Sequence, residues 1–146
     1  KSLSYPLEIN KLYPDIVVTG EACPIWVPLV ESGESCSDGA DFFVKRHIDS
    51  LLSKDSKIDT IILGCTHYPL LLDKIRKYVP DGVTIVSQGD YVAASLRDYM
   101  KRHPEMDARC TKGGSCTYFT TESVETFLPN ASIFLNSAIE ARSVSI

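Results

Sequence analysis

The sequence has no long apolar run, no surplus of basic residues and no even set of cysteines, and each absence removes a class of function. Its apolar stretches fall far short of the roughly 20 residues that a helix needs to cross a bilayer, so a membrane span is not expected. Fifteen Lys and Arg stand against 19 Asp and Glu, for a formal net charge of −4. Without a basic stripe to follow a phosphate backbone, nucleic acid is not an expected partner. Residues 1–13 read as an amphipathic helix that lacks the apolar centre and small-residue cleavage site of a secretory signal. Five cysteines, an odd number, in a chain without such a signal point to reduced thiols and a cytoplasmic setting. Cys110 and Cys116 have no histidine partner nearby in sequence, so a zinc site is poorly supported. No internal repeat or low-complexity tract organises the chain.

What is present suits one ordinary hydrophobic core: 146 residues, 44% of them hydrophobic. Helical and extended patterns alternate, which predicts α/β architecture with a mainly parallel sheet. Helices are expected over Leu3–Tyr13, Pro24–Val30, Asp41–Leu52, Leu70–Val79, Asp90–Lys101 and Glu122–Leu128. Strands are expected over Asp15–Thr19, Ile58–Leu63, Val83–Val86, Thr117–Thr120 and Arg142–Ser145. The near-continuous apolar run from Ile58 to Leu63 reads as a strand buried on both faces. Cys23 reads as a packed thiol, Cys36 as an exposed one, and Lys112-Gly113-Gly114 as a turn. His47 and His103 read as surface residues, Tyr68 as packing, and Trp26 as core or cleft lining.

The most informative run is Gly64-Cys65-Thr66-His67-Tyr68-Pro69-Leu70-Leu71. It places a thiol, a hydroxyl and an imidazole at the carboxyl end of a strand, where open α/β sheets bind ligands. Pro69 suits the first turn of the helix that follows. Amides of that helix would point back at the turn and favour negative charge, whether a thiolate or a substrate carboxylate. A free thiol titrates near ~8.5, and a helix start or a neighbouring histidine lowers that to roughly 3.5–7.5. Taken singly, each residue has a plainer reading. Cys65 is a small buried hydrophobe, Thr66 a helix N-cap as readily as a ligand, and Glu31 a solvated charge.

Taken whole, the octapeptide closely resembles the second catalytic-cysteine motif of bacterial glutamate racemases. The likeness extends to Ala22-Cys23-Pro24-Ile25-Trp26-Val27-Pro28-Leu29-Val30-Glu31-Ser32-Gly33 and to Val83–Ser95 with its Ser87-Gln88-Gly89 turn. It also takes in Lys112-Gly113-Gly114 with Tyr118-Phe119-Thr120-Thr121, and Ala131-Ser132-Ile133-Phe134-Leu135. The resemblance covers nearly the whole chain but only the C-terminal part of a family member.

The resemblance implies one lobe of a two-lobe, three-layer α/β fold with a mainly parallel sheet and an active site in the cleft between the lobes. Residues 1–88 would form the second lobe, its first strand missing, and residues 89–146 would return to the N-terminal lobe. In the family that lobe supplies a cysteine in an Asn-Thr context and an Asp-Ser pair near the start. No cysteine here has that context, and Asp49-Ser50 and Asp55-Ser56 are not near the start, so the chain looks like a carrier of half a site. The missing N-terminal lobe is therefore one implied partner. The implied reaction interconverts L- and D-glutamate for peptidoglycan precursors with two cysteines, without pyridoxal phosphate or metal. Cys65 would serve the L-glutamate face, His67 would tune Cys65 or relay its proton, and Thr66 would bind the substrate carboxylate. Glu31 matches an assisting acid, with Glu34 as a nearby competitor. A returning segment without its sheet would move, pack differently or pair with another molecule through an exposed edge, a homodimer among the options. Aspartate racemases share the fold but typically carry glutamate at the position of His67. A non-catalytic module with an incidental thiol and a thiol hydrolase are the remaining readings.

Overall fold

The computed structural model describes residues 3–146. Chain order is α1 (Ser4–Leu12), α2 (Trp26–Glu31), α3 (Asp38–Lys54), β1 (Thr60–Ile62), a 3₁₀ turn (Tyr68–Leu71), α4 (Leu72–Tyr78) and β2 (Thr84–Val86). Then follow α5 (Gln88–Arg102), α6 (Pro104–Asp107), β3 (Tyr118–Thr120), α7 (Val124–Leu135) and β4 (Ala141–Ser143). The chain is α/β, with two separate two-stranded sheets among the described residues, both parallel. In the first, Thr60, Ile61 and Ile62 of β1 face Thr84, Ile85 and Val86 of β2. In the second, Tyr118, Phe119 and Thr120 of β3 face Ala141, Arg142 and Ser143 of β4.

One core holds the first part together. Trp26 and Val30 of α2, Ala40, Val44 and Ile48 of α3, Ile61 and Leu63 of the β1 region, and Leu71 and Ile75 after the motif are all buried in one cluster. The spacing 40, 44, 48 is one stripe of α3, and that stripe faces α4 and lies in the same buried cluster as Ile61 of β1. Ser37 starts α3 by accepting the Ala40 amide at 3.1 Å. Asp41 ties α3 to α4 by accepting from the Tyr78 hydroxyl and from Lys77 Nζ at 2.7 Å. Those two donors, Lys77 foremost, hold the Asp41 carboxyl down at about 2.

Several elements differ from the sequence expectation. Asp15–Thr19 forms no strand; Ile16 and Val17 are exposed, and Asn10 Nδ2 donates to the Ile16 carbonyl at 2.9 Å. β-Branched residues favour a pleated, half-buried surface, and among the described residues no neighbouring strand supplies one. β1 is buried on one face only, because Ile61 points to the core while Thr60 and Ile62 point away. His47 is not a surface residue: its side chain is 13% exposed, its Nδ1 lies 2.8 Å from Glu21 Oε1, and its ring meets Trp26 edge-on. Lys54 closes this cluster by bonding Glu21 and, at 2.7 Å, the Gly20 carbonyl. In this way the extended segment before α2 is tied to α3.

α7 runs seven residues beyond its expected end, straight through Pro129. An interior proline leaves the carbonyl four residues earlier unbonded and costs ~3 kcal/mol in helix propensity. The end of α7 offsets part of that. Asn136 adopts the left-handed conformation at φ 48°, with Asn136 N–H bonded to the Ile133 carbonyl and Ser137 N–H to the Ser132 carbonyl. This is a Schellman closure, which satisfies the last carbonyls of the helix.

Candidate functional site

The candidate residues converge at the carboxyl end of β1. Backbone turns fold Gly64–His67 back on itself: Tyr68 N–H donates to the Cys65 carbonyl at 3.2 Å and Leu70 N–H to the His67 carbonyl at 3.1 Å. The result places Cys65 Sγ 3.8 Å from His67 Nδ1, with Thr66 Oγ1 3.4 Å from the same nitrogen. On the other side of the ring, His67 Nε2 lies 3.1 Å from Glu31 Oε1 at the end of α2. A carboxylate can only accept, so Nε2 carries a proton, and in the neutral ring Nδ1 then turns a lone pair toward the thiol. Cys65, His67 and Glu31 thus form one hydrogen-bonded line spanning two elements. Residues at i and i+2 need not face each other in a turn; here they do.

Glu34, the competing acid, stays outside this line; its backbone amide closes the turn after α2 on the Leu29 carbonyl. Thr66 does not cap a helix, because the helical start after it takes no side-chain cap. Its exposed hydroxyl therefore stays available to a ligand. The expected anion-favouring helix start is weaker than the sequence suggested. A four-residue 3₁₀ turn follows the motif, and its Tyr68 and Leu70 amides are already bonded inward.

Tyr68 packs edge-on against Trp26 with centroids 4.8 Å apart, and Trp26 itself is buried. Burial and the nearby Cys23 and Cys65 thiols push the Tyr68 phenol up to about 12, so it stays neutral near pH 7. Cys23 is buried, and burial, reinforced by Glu21, pushes its thiol up to about 12. It is an inert neighbour, whereas Cys65 is partly exposed. Cys36, Cys110 and Cys116 are exposed, and among the described residues no three His, Cys, Asp or Glu side chains converge as a metal site.

Two contacts at the site went unread in the sequence. Tyr5 of α1 lies over Gly64, so a Cβ there would stand 3.1 Å from the Tyr5 hydroxyl oxygen. The same hydroxyl accepts from Gln88 Nε2 at 2.9 Å, so α1, the motif and the start of α5 meet at one point. Phe134 of α7 meets the His67 ring edge-to-face, with centroids 5.0 Å apart and planes at 89°. A tyrosine in an amphipathic helix and a phenylalanine 67 positions downstream carry no local signal of either contact.

No family model matches the chain. It is 37% identical over 136 residues to a curated glutamate racemase of Listeria monocytogenes, which covers 93% of this chain and 50% of the relative. The solved glutamate racemase isoform RacE1 of Bacillus anthracis superposes with TM-score 0.82 at 30% identity, covering 98% of this chain and 52% of that one. The fold also matches, with TM-score 0.82 at 24% identity, a Francisella tularensis glutamate racemase solved with D-glutamate, over 97% of this chain and 52% of that one. The chain spans about half the length of the curated relatives it matches. By sequence and by fold, the chain is a homologue of the glutamate racemases.

Proposed function

We propose that the chain supplies one of two thiols to an amino-acid racemase site that interconverts L- and D-glutamate. The observation that carries this reading is the line Glu31–His67–Cys65 at the carboxyl end of β1, with the exposed Thr66 hydroxyl beside it. Racemisation removes the α-proton from one face of the carbon and returns a proton to the other, so two facing acid/base groups are the economical arrangement. Cys65 as thiolate takes the proton from the L-face, and as thiol returns it there in the reverse direction. His67, its Nδ1 lone pair toward the sulfur, accepts the thiol proton, and Glu31 stabilises the imidazolium that results. Thr66 binds the substrate α-carboxylate through its hydroxyl. No step requires a cofactor.

The second thiol lies outside this chain in this reading. Residues 1–88 form the lobe that carries Cys65, and residues 89–146 return to a missing N-terminal lobe. The apolar face of α5 supports that division: Tyr91, Val92, Leu96 and Tyr99 lie on one side, between 40% and 63% exposed. The product would serve peptidoglycan precursor synthesis in the cytoplasm.

One observation favours a second reading. A thiol, an imidazole and an orienting carboxylate in line are also the parts of a thiol hydrolase. The homology argues for racemisation, and the two chemistries separate in one assay. L-Glutamate is incubated without added cofactor with the chain alone, with Cys65→Ala, and with the chain plus the N-terminal portion of a homologous racemase. D-Glutamate is expected only in the third mixture, and not when Cys65→Ala replaces the chain there. Robust D-glutamate from the chain alone would overturn the half-site reading. Hydrolysis of thiol-reactive esters without any racemisation on reconstitution would favour the hydrolase.

A further inference from the structure

We infer that Phe134 is a positioning residue for His67, so that the C-terminal segment sets the orientation of the imidazole beside Cys65. This deepens the proposed site and rests on that reading. His67 uses both ring nitrogens, Nε2 toward Glu31 and Nδ1 toward Cys65 and Thr66. A ring turned by about a quarter turn about its bond to the side chain would carry both nitrogens off their partners and break the line, and it would also lose its perpendicular packing on Phe134. Histidine's second torsion is broad and roughly two-fold, so hydrogen bonds alone hold it weakly. The Glu31 side chain is 54% exposed, which makes its grip on Nε2 a solvent-facing one.

Phe134 supplies the missing constraint. Its ring stands perpendicular to the imidazole at 5.0 Å, the edge-to-face arrangement that aromatic quadrupoles favour. The His67 side chain is 21% exposed although it lies on a surface turn. Phe134 itself sits in the last turn of α7, which the left-handed Asn136 and its two closing bonds fix. The contact links residues 67 positions apart and crosses the proposed lobe boundary near residue 88. Docking of the C-terminal segment and the orientation of His67 are therefore coupled in one contact.

The test uses the intact chain and two readouts that a merely structural role would not move together. Nitrogen-15 spectra report the His67 tautomer, assigned by the signal lost in His67→Gln. Peptide-resolved mass spectrometry reports the iodoacetamide alkylation rate of Cys65 apart from the other four cysteines. In the parent chain a single Nε2–H tautomer is expected. Phe134→Ala and Phe134→Leu should give a mixture of tautomers and slow Cys65 alkylation by about two- to tenfold, the range to which an aromatic pair's contribution converts. Phe134→Trp, which keeps an aromatic edge, should restore both. The leucine variant guards against loss of packing volume, and unchanged hydrogen exchange in α3 marks each variant as folded. If His67→Gln slows alkylation while both Phe134→Ala and Phe134→Leu leave tautomer and rate unchanged, the inference about Phe134 fails and the site reading stands. If His67→Gln leaves the alkylation rate unchanged, the relay itself fails, and the role of Phe134 with it.

Discussion

Residues before and after position 88 are built differently. Before it, α2, α3, β1, the 3₁₀ turn and α4 share a contiguous core in which Trp26, Leu71, Ile75, Val30 and Val44 are almost completely buried. After it, α5, α6 and α7 bury no residue, and Thr120 is the one buried side chain among the described residues. The hydrophobic content does not explain the contrast, since Tyr91, Val92, Leu96, Tyr99, Phe119 and Phe134 are all large and apolar. The difference is what they pack against. The first region closes on itself, whereas the second presents its apolar faces outward and touches the first chiefly at the candidate site, through Gln88 on Tyr5 and Phe134 on His67. A region that cannot bury its own apolar surface gains little from the hydrophobic effect until something covers it.

The comparison breaks most sharply under core truncation. Ile75→Ala should lower stability by roughly 2–5 kcal/mol in urea unfolding, because the cavity sits between α3, α4 and β1. A loss of only a few tenths would mean that the first region is no better packed than the second.

Next comes the Glu21 cluster. Burial alone would raise the Glu21 carboxyl, yet hydrogen bonds from Lys54 and His47 outweigh it and hold it at about 2, against an ordinary value of 4.5. A depressed folded-state value stabilises the fold above the unfolded value, and that contribution fades as pH falls from about 4.5 toward about 2. Glu21→Gln should cost on the order of 1–3 kcal/mol at pH 7, as a buried charged partner is removed. It should also flatten the acid limb of the stability profile. A mutant whose acid limb matches the parent's would remove Glu21 from the account.

The join between the regions is a smaller effect. Gly64→Ala meets the mobile end of Tyr5, so the ring should swing aside and release Gln88. The expected cost is about 1 kcal/mol, the worth of one hydrogen bond. Faster hydrogen exchange at the start of α5 should accompany it, and unchanged exchange there would separate the regions entirely. Smallest of all, Leu96→Ala on the open face of α5 should shift stability by no more than about 0.5 kcal/mol.

How much of this was readable beforehand follows the same division. The α3 stripe, the apolar run into β1 and the motif after it are local patterns, and each sits where periodicity and turn chemistry put it. The sequence also brought Cys65, Thr66 and His67 together, because they are neighbours on one turn. Glu31 facing His67 depended on the likeness to a family, since 36 residues separate them and no spacing rule joins them. Failures occurred where tertiary context overrode local preference. Asp15–Thr19 has strand-like residues but, among the described residues, no strand beside it, and α7 passes Pro129 to a far end closed by Asn136. His47 looked like a surface histidine because its partners, Glu21 and Trp26, come from another segment.

Native-state hydrogen exchange on the chain alone measures the central contrast directly. The account predicts strong protection of the β1 and α3 amides, those around Ile61, Val44 and Ile48, with α5 amides from Tyr91 to Tyr99 exchanging far faster. Equal protection across both regions would contradict it, since α5 would then be held by packing that its exposed face does not provide.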